Sequence, residues 1–252
     1  MADRSTEPWY PTAAYLYVLH LDGPALAWEY LRRNPDYRLD WLHQRRRPEV
    51  AQRWGLRLFE DPALDARDAH PAWFPDHEAL VLLYPDADPP PDALVFGFWH
   101  LPGRKHLVHD GRRLVLVVHW PGCCLRFALA PGLEEGMACV YAVRACRAPC
   151  TRYRAFAAEL DKLDRLTAVQ ADPPTTRPRP LTTALLELHT LQALDATLAG
   201  ASLREVAEGL FGADAVAADW FSDGSLRSRV RRLVRRGQML MDGGYRRLAQ
   251  LE

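Results

Sequence analysis

The 252-residue sequence has no run of eighteen apolar residues, so it holds no segment able to cross a bilayer as a helix. Its opening, Met-Ala-Asp-Arg-Ser-Thr-Glu-Pro, carries acids and lacks the basic and apolar regions of a secretory signal, and residence in the cytoplasm is expected. There is no Gly-rich phosphate loop, no Gly-x-Ser-x-Gly elbow and no His-Glu-x-x-His, which removes the familiar routes to nucleotide, acyl-transfer and zinc-peptidase chemistry. Cysteine is scarce and odd in number. Cys123, Cys124, Cys139, Cys146 and Cys150 suit reduced thiols better than a disulfide framework. Internal repeats and long low-complexity tracts are absent as well.

His100, His106, His109 and His119 lie near these cysteines and raise the question of a metal or a thiol nucleophile. Spacing argues against both. His106 and His109, three apart in an expected strand, face opposite sides, as do adjacent Cys123 and Cys124. Cys146 and Cys150 have the separation of a helical turn, but Pro149 interrupts it and no second pair has zinc-site spacing. The expectation is therefore a protein that is not an enzyme and needs neither cofactor nor metal.

Composition is that of an ordinary globular chain, 48% hydrophobic and 25% charged, and its length suits more than one module. The formal net charge of +0 conceals an uneven distribution. From Ser225 to Arg247 there are eight Arg against one acid, Asp242, leaving 24 basic and 31 acidic residues elsewhere. One short segment is thus about +7 in a chain otherwise about −7, and local field, not total charge, governs attraction to phosphate.

The patterning predicts an α+β protein in four parts. Residues 1–60 form a helical N-terminal region, with helices at Ala25–Arg33, Pro35–Arg47 and Pro48–Trp54 started by prolines and stopped near Asn34-Pro35 and Gly55. Trp28, Tyr30, Tyr37, Trp41 and Trp54 are its candidate core. Residues 61–168 form an antiparallel β-meander with a covering helix. Its runs are Ala79–Tyr84, Ala93–Trp99, Arg104–His109, Arg113–Trp120, Cys124–Ala130 and Met137–Arg144, turned at Asp110-Gly111, Pro121-Gly122 and Pro131-Gly132. The helix, about 149–166, repeats apolar residues at Tyr153, Phe156, Leu160 and Leu163. Residues 169–181 are a stiff Pro-rich linker. Residues 182–252 form a helix-turn-helix domain.

Within that last domain Leu185, Leu188, Leu191, Leu194 and Leu198 mark one helix closed by Gly200. Ser202-Leu-Arg-Glu205 is a capping box for the next, which Gly212 ends, and a connection Ala213–Trp220 leads to a new start at Asp223-Gly224-Ser225. On a helical wheel Leu226, Val230, Leu233 and Val234 fall on one arc. Ser228, Arg231, Arg232 and Arg235 occupy the opposite one, flanked by Arg227, Arg229 and Arg236, with no carboxylate between them. Like charges four apart oppose the helix, and phosphate is the natural compensation, while guanidinium also pairs bidentately with guanine. A solvated helix face, or a site for an acidic partner protein, is the plainer alternative. The expected DNA-contact set is Ser225, Arg227, Ser228, Arg229, Arg231, Arg232, Arg235, Arg236, Arg246 and Arg247. Ser225, Arg227 and Ser228 are the candidate base readers. Gly243-Gly244-Tyr245-Arg246-Arg247 reads either as a short wing or final helix adding phosphate contacts, or as a C-terminal cap with Tyr245 packed inward.

Gly200-Ala-Ser-Leu-Arg-Glu-Val-Ala-Glu-Gly-Leu-Phe-Gly212, Ser225-Leu-Arg-Ser-Arg-Val-Arg-Arg-Leu-Val-Arg-Arg-Gly237 and Gly-Gly-Tyr-Arg-Arg247 resemble the C-terminal domain of proteobacterial transcriptional activators. These activators occur on integrative and conjugative elements and near type VI secretion loci. Ala27-Trp-Glu-Tyr-Leu-Arg-Arg-Asn-Pro-Asp-Tyr37 and Trp54-Gly-Leu-Arg-Leu-Phe59 resemble the companion N-terminal domain of the same proteins. The resemblance implies a promoter-binding activator that acts as a homo-oligomer, with double-stranded DNA as ligand and RNA polymerase or an antiactivator protein as partners. Because related domains also occur in antiactivators that bind the activator instead, a protein-interaction module is the alternative.

Overall fold

Prolines and side-chain caps set the first helices, in a computed structural model that describes residues 11–74, 80–120, 123–143, 153–154, 156–163, 182–220 and 224–249. After a 3-10 segment, Thr12–His20, helix α1 spans Gly23–Leu31, with the Asp22 carboxylate accepting from the Ala25 N–H at 2.9 Å. Asn34 Oδ1 accepts from the N–H groups of Asp36 and Tyr37 and so starts α2, Pro35–Gln44. Helix α3 is Pro48–Arg53, and Gly55 follows with φ at 77°, a left-handed value that glycine adopts without steric cost.

The chain packs as two units. One holds the described residues of His43–Glu60 and His70–Pro178, and its centre is a sheet of β1 (Leu80–Pro85), β2 (Arg104–His109), β3 (Leu114–Trp120), β4 (Cys123–Leu129) and β5 (Cys139–Ala142). The order is β2-β3-β4-β1-β5. β2, β3 and β4 form the antiparallel meander, but β1 runs parallel to β4, with Leu80 opposite Arg126 and Leu83 opposite Leu129, and antiparallel to β5. The run at 93–99 is not a ladder strand. Only Val95 bridges Ala138, and the Phe96 N–H donates to the Met137 carbonyl at 2.8 Å. The β2–β3 turn closes one residue later than expected, as the Asp110 N–H donates to the Arg113 carbonyl and Gly111 takes φ at 88°.

One sheet face buries Val81, Leu83, Leu116, Val118, Leu125, Phe127 and Cys139, the i, i+2 sets of their strands. Helix α4, residues 156–163, lays Phe156 and Leu163 on that core, while Tyr153 stays half exposed. The expected turn at Pro121-Gly122 and the Pro-rich linker lie outside the described residues.

The other unit joins the described residues of Met1–Leu42, Asp61–Ala69 and Arg179–Ala249. Its C-terminal part is α5 (Thr182–Leu198), α6 (Leu203–Phe211), α7 (Ala213–Asp219), α8 (Ser225–Met239), a π-type turn at Leu240–Gly244, and α9 (Tyr245–Leu248). Within it the 3-10 segment packs on α5, and α1 packs on α9. Trp28 is fully buried, meets Tyr37 edge-on at 5.7 Å and donates to the Leu64 carbonyl at 3.0 Å. Trp54 belongs to the sheet unit and Trp41 is only half-buried, so the aromatics read as one small core are divided.

Polar groups also join these segments. The Arg33 guanidinium donates two bonds to Asp195 on α5, at 2.5 and 2.8 Å, and one to Glu29 at 2.5 Å. Tyr15 donates to Asp195 at 2.8 Å, and Glu29, fully buried, also accepts from the Ala66 N–H. Burial alone would raise the pKa of Glu29 and Asp195. Beside Glu29 the charges of Arg33 and Arg32 outweigh it, and for Asp195 the Arg33 hydrogen bonds and charge do so, holding both carboxyls below their usual range.

Candidate nucleic-acid interface

Helix α6 begins where the capping box predicts it: the Ser202 hydroxyl accepts from the Glu205 N–H at 3.3 Å, and Glu205 accepts from the Ser202 N–H at 2.7 Å. The expected connection 213–220 is instead α7. Its last residue, Asp219, supplies the cap of α8, accepting from the Ser225 hydroxyl at 2.8 Å and from the Leu226 N–H at 3.2 Å. A carboxylate there complements the positive end of the α8 dipole.

Helix α8 buries Leu226, Val230, Leu233, Val234 and Gly237. The first four join a core with Ala193, Ala196, Val206, Ala207 and Val216, drawn from α5, α6 and α7. Gly237 lies where α8 crosses α5 closely: a Cβ built there would stand 3.0 Å from the Leu194 Cβ. With that stripe inward, Ser225, Arg227, Ser228, Arg229, Arg231, Arg232 and Arg235 are exposed, and so is Gln238, which lies outside the wheel read from the sequence.

The arginines are not equivalent. Arg227, Arg231, Arg232 and Arg235 make no ion pair among the described residues, whereas α6 balances its surface with an Arg204 to Glu208 pair at 3.1 Å. From Arg227 to Arg235 the unpaired charges run about 12 Å along the helix axis. Arg229 lies over the Phe211 ring at 4.8 Å, a cation–π contact. Burial and then the Arg229 charge push the nearby His189 pKa down. Arg236 is half-buried and paired with Glu187 of α5, which also accepts from the Tyr30 hydroxyl at 2.7 Å. The segment ending at Arg247 is a final helix and not a β wing. Tyr245 is packed inward, Arg246 is half-buried near its ring, and Arg247 is exposed.

Two of the histidines read from the sequence, His106 on β2 and His119 on β3, come together with His70, which precedes the sheet. The His70 ring centroid is 4.3 Å from that of His106 and 5.9 Å from that of His119, and Cys124 Sγ lies 4.0 Å from His119 Nε2. Burial, then the neighbouring imidazoles and the arginines 126 and 104, lower His70 to about 4. Among the described residues no group of three His, Cys, Asp or Glu is placed to hold a metal ion.

Residues 126–250 match the DNA-binding domain of type VI secretion system (T6SS) transcription factors, a stretch running from within β4 to α9. Residues 8–58 match a proteobacterial transcriptional regulator-like domain. The chain belongs to this family of proteobacterial transcription regulators. Residues 78–125 of the regulator match a domain of unknown function, and no curated protein matches the chain. No helix among its described residues is long and apolar enough to cross a membrane. The regulator-family domains point away from an enzymatic role.

Proposed function

We propose that this regulator binds double-stranded promoter DNA sequence-specifically, as an activator, by seating α8 in the major groove. The observation that carries the reading is the one-sided charge of α8. Arg227, Arg231, Arg232 and Arg235 are exposed without a carboxylate partner among the described residues, on a helix whose other face is locked into a helical core. A groove about 12 Å wide admits such a helix, and guanidinium serves both phosphate and the O6 and N7 edge of guanine. Arg227 and Ser228, near the start of α8, are the base readers. Arg231, Arg232 and Arg235 hold the backbone, with Arg229, Arg246 and Arg247 in supporting positions.

Ser225 contributes less directly, since its hydroxyl proton is committed to Asp219. The family membership supports DNA as the ligand, and the resemblance to activators supports action as a homo-oligomer that meets RNA polymerase or an antiactivator. The test is a genome-wide DNA-capture profile of wild type against an Arg231→Ala, Arg235→Ala variant. Both side chains are exposed, so the variant is expected to keep its fold and lose its enriched sites. Unchanged occupancy at those sites would sink the assignment of α8 as the recognition helix, whereas absent or salt-insensitive DNA binding by the wild type would leave the protein-interaction module as the reading.

A further inference from the structure

Arg236 differs from its neighbours in where its charge goes. Its Nη2 donates to Glu187 Oε1 on α5, and the other oxygen of that carboxylate accepts from the Tyr30 hydroxyl on α1. Glu187 is 9% exposed, and Arg236 Nε is buried without a partner among the described residues. A guanidinium paired in this way has to give up a desolvated carboxylate before it meets a phosphate, and would leave that carboxylate buried and uncompensated. Arg232 and Arg235, one turn and one residue away, carry no such burden.

We infer that Glu187 withholds Arg236 from DNA and turns it into a strut that fixes the angle of α8. Through Tyr30, helix α1 then becomes part of the DNA-reading head. Glu187 is a positioning residue, and Arg236 contributes rigidity where the sequence suggests a phosphate contact. The inference rests on α8 being the DNA-contacting helix.

The salt dependence of binding separates a strut from a contact, because each phosphate contact adds about 0.9 to the slope of log K against log salt. The measurement uses the full chain and a random-sequence duplex, for which the phosphate contribution suffices. Arg235→Gln is expected to lower the slope by about 0.9, and Arg236→Gln to leave it unchanged while lowering the melting temperature. If Arg236→Gln does not fold, Glu187→Gln carries the test. Removing the competing charge is expected to raise the slope by about 0.9. An Arg236→Gln slope that falls as far as that of Arg235→Gln overturns the inference, and so does a Glu187→Gln slope equal to the wild type's. A wild-type protein with no salt-dependent slope is a different result: it sinks the DNA reading itself.

Discussion

Single buried charges carry much of the helical unit's cohesion. Arg33 satisfies Asp195 and Glu29 at once, and Tyr15 completes Asp195. Removing one partner of a buried pair leaves the other charged in a poor solvent, which costs about 3 to 5 kcal/mol. Asp195→Ala is therefore expected to destabilise the protein by about 3 kcal/mol, discounted to the low end because Glu29 still faces Arg33 and the Asp195 side chain is 23% exposed. Urea unfolding of the two proteins measures it, and a change under about 1 kcal/mol would mean the network is replaced by water. The sign with pH follows from the two carboxyls held low. Their contribution is present above the usual carboxylate range and is lost as pH falls through the depressed folded values. None of this is legible in the chain, where Arg33 and Asp195 stand 162 positions apart and look like two surface charges. Chain pairing also hid the histidine cluster, since strand spacing separates His106 from His109 but does not reveal that the β2–β3 register brings His119 alongside His106.

At the level of elements, local signals did well wherever a side chain acts within one turn. The Ser202 capping box and the Leu226, Val230, Leu233, Val234 stripe are both where periodicity puts them. What failed is what depends on a neighbour. Asp219, at the end of α7, caps α8 from six and seven positions before Ser225 and Leu226, a function that no local motif announces. The place of β1 between β4 and β5 is not legible, because a hydrophobic run says that a strand is buried without saying in which direction its partner runs. Gly237 is a further case, a mid-helix glycine whose purpose is the crossing with α5. Gly237→Val would drive branched carbons against the Leu194 side chain and the Thr190 carbonyl. Overpacking of this kind costs about 1 to 3 kcal/mol. The expected outcome is a lower melting temperature together with weaker DNA binding, since α8 has to move away from α5. A variant that melts lower but binds DNA as wild type does would show that the crossing angle is not what positions the arginines.

The whole molecule is assembled from segments that the chain lists far apart. The α+β class and the basic C-terminal head are readable from composition and pattern, but the membership of the helical unit is not, because hydrogen bonds such as Asn34 to the Met241 carbonyl span 207 positions. A fragment of residues 182–252 retains the small core beneath α8 but loses Thr12, Tyr15, Tyr30 and Arg33, the hydrogen-bond partners of Gln192, Asp195 and Glu187. It is expected to unfold at a clearly lower urea concentration than the full chain and with a shallower transition, because less surface is buried. An equal midpoint for fragment and full chain would show that the N-terminal segments add nothing to the head.

That long-range closure bears on how the protein is made. Gly23 lies against the Leu248 carbonyl, so the first helix emerges from the ribosome more than two hundred residues before the strand of chain that covers it. At about 5 to 20 residues per second, the part of α1 that packs on α9 waits on the order of ten to forty seconds for it. The helical unit thus closes only once Leu248 has been made, and a ribosome that stops before it releases a chain in which α1 lacks the packing of α9.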